Sequence, residues 1–367
     1  MAVVTYVCGL LPGELEEALS RAGHEPYRAR QILRWVYRRG VLDFSRMTDL
    51  PQHLRKELAG PMQISPLRRV SKREAGDGSI KLALRLADGA LIEAVVMPYG
   101  ARATACVSSQ VGCAYDCAFC ATGSLGLERN LTPAEIVGQA LSLRDESAAR
   151  ITNVVFMGMG EPLANYEAVI KAVRIMNDRA CLNTGARHMA ISTCGLPQQI
   201  RRLAAEGLGL HLAVSLNAPD DELRSTLMPV NRRYPVREVI ASAREYAITS
   251  GRKVSFEYCL LEGINDSPSQ AAAVARLIRG FPCMVNLILY NQARGAYRRP
   301  QPAAVQAFRR ALRECGVEVA LRRSLGEEVA AACGQLAGAA PRRRPVSGRS
   351  RAEGAARARS RPRGKSD

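Results

Sequence analysis

The chain of 367 residues contains no run approaching the about 20 consecutive apolar residues that a membrane-spanning helix needs. Its first ten residues hold no basic stretch leading into an apolar one, the pattern of a secretory leader. Acidic residues are outnumbered, 34 Asp and Glu against 52 Lys and Arg, so the formal net charge is +18 and a polyanionic partner is expected. No internal repeat stands out, and the eleven cysteines follow no regular spacing, which argues against a solenoid and against a secreted disulfide scaffold. These absences point to a cytoplasmic protein without a membrane partner. At 47% hydrophobic residues it is large enough for one substantial core with smaller additions.

What is present is unevenly placed. Ten basic and two acidic residues fall within 337–367, so +8 of the charge sits there. That tail is Arg, Ala, Gly, Pro and Ser with almost no large apolar side chain; burial cannot offset its ordering entropy, and disorder is expected. At the other end, 1–60 reads as a helical accessory domain: Leu15, Ala18 and Leu19 share a face, and Ile32, Leu33, Trp35 and Val36 form an apolar stripe. Arg28, Arg30, Arg34, Arg38 and Arg39 fall between those positions. A charge run of this kind is ordinarily a solvated helix face, but in so basic a chain it also suits an RNA backbone.

Residues 61–100 read as a connector built on a β-hairpin, with two alternating runs around Asp88-Gly89 and Glu93 on the second. Beyond it, strands are predicted at 104–108, 153–157, 189–193, 210–215, 254–260 and 284–289, with a further one near 317–321. Helices alternate with them, for example after Thr132-Pro133, a cap residue followed by proline. Six successive βα units imply an α/β fold around a parallel sheet, either curled into a whole or partial barrel or open and doubly wound. Either topology gathers ligands at the C-terminal ends of the strands.

The cysteines crowd at that position. Cys113, Cys117 and Cys120 are separated by three and then two residues, directly after a predicted strand end. Three soft ligands from one loop can hold three irons of a cubane cluster and leave the fourth open. A non-catalytic, zinc-stabilised RNA-binding protein is the alternative from a different class. A structural zinc site normally needs four ligands, and no fourth Cys or His follows at finger spacing; a three-ligand catalytic zinc stays open. The three-two spacing with Phe119 before the last cysteine resembles the radical S-adenosylmethionine (SAM) superfamily signature.

The likeness extends further, through Val107-Ser108-Ser109-Gln110-Val111-Gly112-Cys113, Arg129-Asn130-Leu131-Thr132, Met157-Gly158-Met159-Gly160-Glu161-Pro162-Leu163 and Ala332-Cys333-Gly334-Gln335-Leu336. With Tyr27-Arg28-Ala29-Arg30-Gln31-Ile32 these resemble the RlmN family of adenine-C2 methyltransferases, from about residue 27 to 336. The resemblance implies a partial (βα)6 TIM-type barrel at 101–336, with a C-terminal extension carrying Cys333. It implies a [4Fe–4S] cluster on Cys113, Cys117 and Cys120, and a SAM pocket formed by Gly160, Glu161, Ser192, Ser215, Leu216, Asn217 and Asn291. Taken singly, each of those polar residues is more often a cap or turn residue.

By the same resemblance Cys333 is methylated by one SAM, and a 5′-deoxyadenosyl radical from a second SAM activates that methyl group to join the base. Cys106 then attacks the Cys333 sulfur to release the product, after a base, Glu93 by position, removes the C2 proton. The implied substrates are 23S rRNA in the peptidyl-transferase centre and the tRNA adenosine 3′ of the anticodon. An electron donor of the flavodoxin or ferredoxin type and a thiol reductant complete the partners, with the enzyme a monomer. A Cfr-type adenine-C8 methyltransferase shares the cluster and both cysteines and is the nearest rival. Read without the family, a lone strand cysteine is a small buried hydrophobe, and a strand Glu is a solubilising group on the water side.

Overall fold

The computed structural model describes residues 4–293, 297–322 and 324–337; the expected arginine-rich tail from 338 onward lies outside the described residues. Near the N-terminus, β1 (Thr5–Tyr6) pairs in parallel with β2 (Met62–Gln63). Between them lie α1 (Pro12–Arg21), α2 (Arg28–Leu33) and α3 (Gln52–Leu58). Pro12 at the first helical position, and Glu14 accepting the Leu11 N–H at 2.8 Å, start α1 where its apolar face begins. Ala29, Ile32, Leu33, Trp35 and Val36 are buried, whereas Arg30, Arg34, Arg38 and Arg39 are exposed, so the apolar stripe and the basic face separate as the periodicity predicts.

Ten strands form one sheet. Three are antiparallel: β3 (Arg68–Glu74), β4 (Ile80–Arg85) and β5 (Leu91–Tyr99). The expected hairpin is β4–β5, with Arg85 opposite Leu91 and the turn at Gly89. β5 pairs antiparallel with β6 (Arg102–Cys106), so the hairpin is continuous with the parallel sheet. β3 escaped the sequence reading because its seven residues are all exposed; an edge strand with both faces in water carries no alternation to read.

A small hairpin, β7 (Gln110–Gly112) with β8 (Leu127–Asn130), follows β6 and leads into α4 (Pro133–Glu146). Thr132 accepts from the Glu135 N–H and Glu135 from the Thr132 N–H, a reciprocal cap that fixes where the helix starts. The alternation continues through β9 (Arg150–Phe156), α5 (Tyr166–Asn177), β10 (Met189–Thr193), α6 (Pro197–Ala205), β11 (His211–Ser215), α7 (Asp221–Leu227) and α8 (Val236–Ser250). It ends with β12 (Val254–Leu260), α9 (Pro268–Leu277), β13 (Cys283–Leu289), α10 (Pro302–Glu314) and β14 (Val319–Arg322). All seven predicted strands form, with ends shifted by up to three residues. β6, β9, β10, β11, β12, β13 and β14 pair in parallel in that order. Cys106 of β6 and Arg322 of β14, at opposite ends of that order, line one cavity, so the sheet curls into a partial barrel. The N-terminal unit packs on α4, where a Cβ on Gly9 would stand 2.7 Å from that of Ala134.

Candidate active site

The cysteine loop hangs between the two strands of the small hairpin. Gly112 has φ +75°, and a Cβ there would stand 1.8 Å from the Gly126 carbonyl oxygen, so the base of the loop closes only around glycine. The Cys113 N–H donates to Gly126 O at 2.9 Å and the Ala118 N–H to Leu227 O at 2.9 Å, tying the loop to its own root and to α7. Cys113, Cys117 and Cys120 are half-buried and line one cavity that opens to solvent. Burial first, with neighbouring Glu161 and Cys120, pushes the Cys113 thiol up to about 12 against backbone hydrogen bonds at Tyr115 and Ala114 that pull it down; burial and the two neighbouring thiols also hold Cys117 well above the ordinary thiol range.

Beside them lies a cation the sequence did not reveal. Arg224 is fully buried, donating to Leu216 O at 3.1 Å, Cys194 O at 2.7 Å, Ser215 O at 3.0 Å and Asn231 Oδ1 at 2.8 Å. It gathers the ends of β10 and β11; burial pulls its guanidinium below the usual range, and nearby Cys194, Cys117 and Asp221 act the other way. A buried guanidinium without a hydrogen-bonded carboxylate favours thiolate in its surroundings.

Of the residues expected in a SAM pocket, Gly160, Glu161, Ser192, Ser215 and Asn217 line this cavity. Gly160 has φ +95°, and a Cβ there would stand 2.5 Å from that of Gln110, so the backbone turn after β9 depends on it. Glu161 is buried; Oε1 accepts from the Leu163 N–H at 2.9 Å and Oε2 from the Cys194 N–H at 2.7 Å, so its carboxylate also staples two strand ends. Asn217, at φ 58°, accepts from the Cys259 N–H at 2.8 Å, a left-handed position that asparagine tolerates. Leu216 is fully buried and lines neither cavity; Asn291 lines a second, adjoining one.

That second, smaller cavity is lined by both Cys106 and Cys333. Met157, Ile288, Arg322, Cys333 and Leu336 line both, so the two cavities share a wall. Cys106 ends β6, is 8% exposed, and its thiol is pushed up to about 12 by burial first and by Cys333 second, with Arg322 pulling the other way. Cys333 is exposed, on an irregular segment tethered from many sides. The Gly326 N–H donates to Asp77 at 2.8 Å, Lys81 Nζ to Ala330 O at 3.0 Å, the Ala121 N–H to Gly334 O at 2.8 Å and Thr122 Oγ1 to Leu336 O at 2.5 Å. Glu93 adds to this. It is buried, not on the water side, with Oε1 3.1 Å from Lys81 Nζ and Oε2 accepting the Ala337 N–H at 3.0 Å, and it lines neither cavity.

Comparison with known proteins agrees with this architecture. A sequence profile described as the radical SAM superfamily matches residues 107–273, and one described as the ribosomal RNA large subunit methyltransferase N-terminal domain matches residues 7–64. A protein of Moorella thermoacetica named probable dual-specificity RNA methyltransferase RlmN is 49% identical over 338 residues, covering 89% of this chain and 96% of that one. The dual-specificity RNA methyltransferase RlmN of Anaeromyxobacter dehalogenans is 44% identical over 337 residues, 89% of this chain and 90% of its own. The crystal structure of a radical SAM methyltransferase from Sphaerobacter thermophilus superposes with a TM-score of 0.88 at 46% identity, covering 90% of this chain and 99% of that one. Among the described residues no helix is long and apolar enough to cross a membrane. With three thiols ringing one cavity, two more on its neighbour and this likeness along nearly the whole chain, the protein belongs to the RlmN family of the radical SAM superfamily.

Proposed function

We propose that the protein methylates C2 of an adenosine in 23S rRNA, and of the adenosine 3′ of the anticodon in tRNA, through a methylated Cys333 and a covalent protein–RNA adduct. The observation that carries this reading is the shared wall: Cys333 faces both the cavity ringed by Cys113, Cys117 and Cys120 and the one that holds Cys106. The donor set fits the cofactor. Three thiols from one loop lining one cavity, with buried Arg224 beside them, suit three corners of a [4Fe–4S] cluster, whereas a structural zinc site would normally call for a fourth ligand. Bound there, the cluster would supply the electron that cleaves SAM to a 5′-deoxyadenosyl radical.

This chain's residues do the rest. Gly160, Glu161, Ser192, Ser215 and Asn217 hold SAM across the cavity; Leu216, buried between Ser215 and Asn217, contributes through its backbone, and Asn291 approaches from the adjoining cavity. Cys333, exposed between the cavities, receives the methyl group and links to the base. Cys106 then attacks the Cys333 sulfur, forming a disulfide as the sulfur–carbon bond to the base breaks and the released carbon takes a proton to become the methyl group; a thiol reductant reopens the disulfide, and reductant and an electron donor are the protein's redox partners. Glu93 takes the C2 proton, which requires the Ala337 N–H to leave Oε2, since the carboxylate faces neither cavity while that bond stands. The exposed Arg30, Arg34, Arg38 and Arg39, on α2 and the turn that follows it, bind the RNA backbone.

Anaerobic purification tests the reading. A brown protein with iron near four per chain, whose iron falls sharply in Cys113→Ala, Cys117→Ala or Cys120→Ala, supports it. A colourless protein holding zinc contradicts it. Mass spectrometry of the methylated nucleoside against C2 and C8 standards separates it from the Cfr-type reaction.

A further inference from the structure

Among the described residues that line either cavity, Arg322 is the one Lys, Arg or His. It ends β14, opposite Ile288 on β13, and lines both cavities, sharing the smaller with Cys106 and Cys333. A polar row across the sheet leads to it. Asn286 Nδ2 on β13 donates to buried Glu257 Oε1 on β12 at 2.9 Å, and Glu257 Oε2 stands 3.9 Å from Arg322 Nη1. That ion pair is at the limit of its range, and Nη1 is directed at Met157 Sδ at 3.4 Å, a weak acceptor. Glu257 therefore anchors the guanidinium without occupying it as a hydrogen-bond donor. The thiols fill the remaining charge environment. Cys333 contributes most to holding Arg322 above its usual range, against burial, with Glu257 and Cys106 adding to it. Burial pushes the Cys106 thiol up, and Arg322 pulls it back.

We propose that Arg322 holds Cys333 as a thiolate, ready to take the methyl group; this rests on the functional reading above. A neutral thiol is a poor nucleophile, and the thiolate is the species that reacts. In the step, the Cys333 thiol first gives its proton to water. The thiolate then attacks the methyl carbon of SAM, and the bond from that carbon to the sulfonium sulfur breaks with its electron pair staying on the sulfur. Thiolate and sulfonium charges cancel, and both products are neutral thioethers. A fixed cation beside Cys333 favours the loss of the proton, and a guanidinium keeps its charge at every working pH. The same cation then serves the second thiol. Once the Cys333 sulfur is a thioether, Cys106 is the thiol left facing Arg322 when the adduct has to be resolved. Because it acts through the two sulfurs, Arg322 is a positioning residue.

The test reads thiol chemistry without SAM or RNA, on the anaerobically prepared full chain at pH 8. Cys333 is alkylated with neutral iodoacetamide or anionic iodoacetate in wild type, Arg322→Met and Arg322→Lys. Peptide mass spectrometry follows the rates and shows any methyl group already on Cys333. Exposed Cys315, at the end of α10, is the internal control, and buried Cys8 reports unfolding. Arg322→Met should slow Cys333 labelling about three- to tenfold, since the thiolate gained beside a cation is partly offset by its lower nucleophilicity. Iodoacetate should be slowed more than iodoacetamide, Cys315 should be unchanged, and Arg322→Lys should recover most of the loss. A purely structural role would not separate the two reagents. Unchanged Cys333 rates with an unchanged reagent ratio in Arg322→Met overturn the assignment. If Cys8 becomes labelled in that variant, the wild type decides: its iodoacetate-to-iodoacetamide ratio at Cys333 must exceed the ratio for the same protein in urea, and an equal or lower one overturns the proposal. Incubation with SAM and reductant separates the two readings. A wild type that shows the charge effect, yet never carries a methyl group on Cys333, overturns the methyl-carrier reading while the pairing of Arg322 with Cys333 stands.

Discussion

Cys106 and Cys333 face one cavity from opposite kinds of structure. Cys106 ends a strand, its neighbours set by ladder pairing to Val95 and Val155, and it is buried. Cys333 is exposed on a segment with no regular structure, held by Asp77, Lys81, Ala121, Thr122 and Glu93. In the proposed mechanism Cys106 acts once, on a formed adduct, and can be fixed in a frame, whereas Cys333 would meet SAM, then a base, then Cys106 and so needs a carrier able to shift; side-chain tethers release more readily than a ten-stranded sheet.

The contrast breaks first at the tethers. Lys81→Met removes the partner of buried Glu93 and the donor to Ala330 O, an ion-pair loss of about 3 kcal/mol. Methylation should fall by at least tenfold while iron content stays at the wild-type level, since the cysteine loop keeps its anchors at Gly126 and Leu227. Equal losses of iron and activity would show that the segment and the loop are not separable. Glu93→Gln in the Lys81→Met background should recover much of the thermal stability and little activity.

A milder probe is chemical. Iodoacetamide at pH 8 should label Cys333 far faster than Cys106, and Cys106 labelling should climb steeply as pH rises toward its thiol pKa of about 12. The sign for stability follows. The folded thiol keeps its proton up to about pH 12 and the unfolded one releases it near 9.0, so the contribution of Cys106 is complete below pH 9 and lost as pH rises from 9 toward 12. Comparable labelling of both thiols in peptide maps at pH 8 would erase the distinction.

The smallest effect belongs to the far end of the chain. Deleting 338–367 should flatten the salt dependence of RNA binding, leaving turnover at saturating RNA nearly unchanged, because those residues lie beyond the last tether at Ala337. An unchanged salt slope would remove the tail from the account of RNA binding.

Much of this was legible in the sequence where it is local. Apolar runs of five to seven residues marked every strand of the parallel sheet, and the three-two spacing marked the cysteine loop. What escaped is non-local. Arg224 reads as a surface arginine because arginines are rarely buried, and nothing near it in sequence shows that four carbonyl and amide oxygens converge on it. Asp77 and Lys81 look like solvated turn and strand residues; their role depends on a segment some 250 positions away. Glu257 did leave a signal. On β12, Val254, Phe256, Tyr258 and Leu260 alternate with Ser255, Glu257 and Cys259, and a polar row on an interior strand of a parallel sheet must face a cavity or a ligand.

The account is tested most directly by Cys106→Ala incubated anaerobically with RNA, SAM and reductant, then run on a denaturing gel. The fixed thiol is then missing while the carrier is intact, so Cys333 should be methylated, react once and remain attached, giving a slow-migrating protein–RNA band that is absent from Cys106→Ala/Cys333→Ala. No such band, in a protein that retains its iron and still cleaves SAM, would contradict the assignment of Cys333 as carrier and Cys106 as the residue that releases the product.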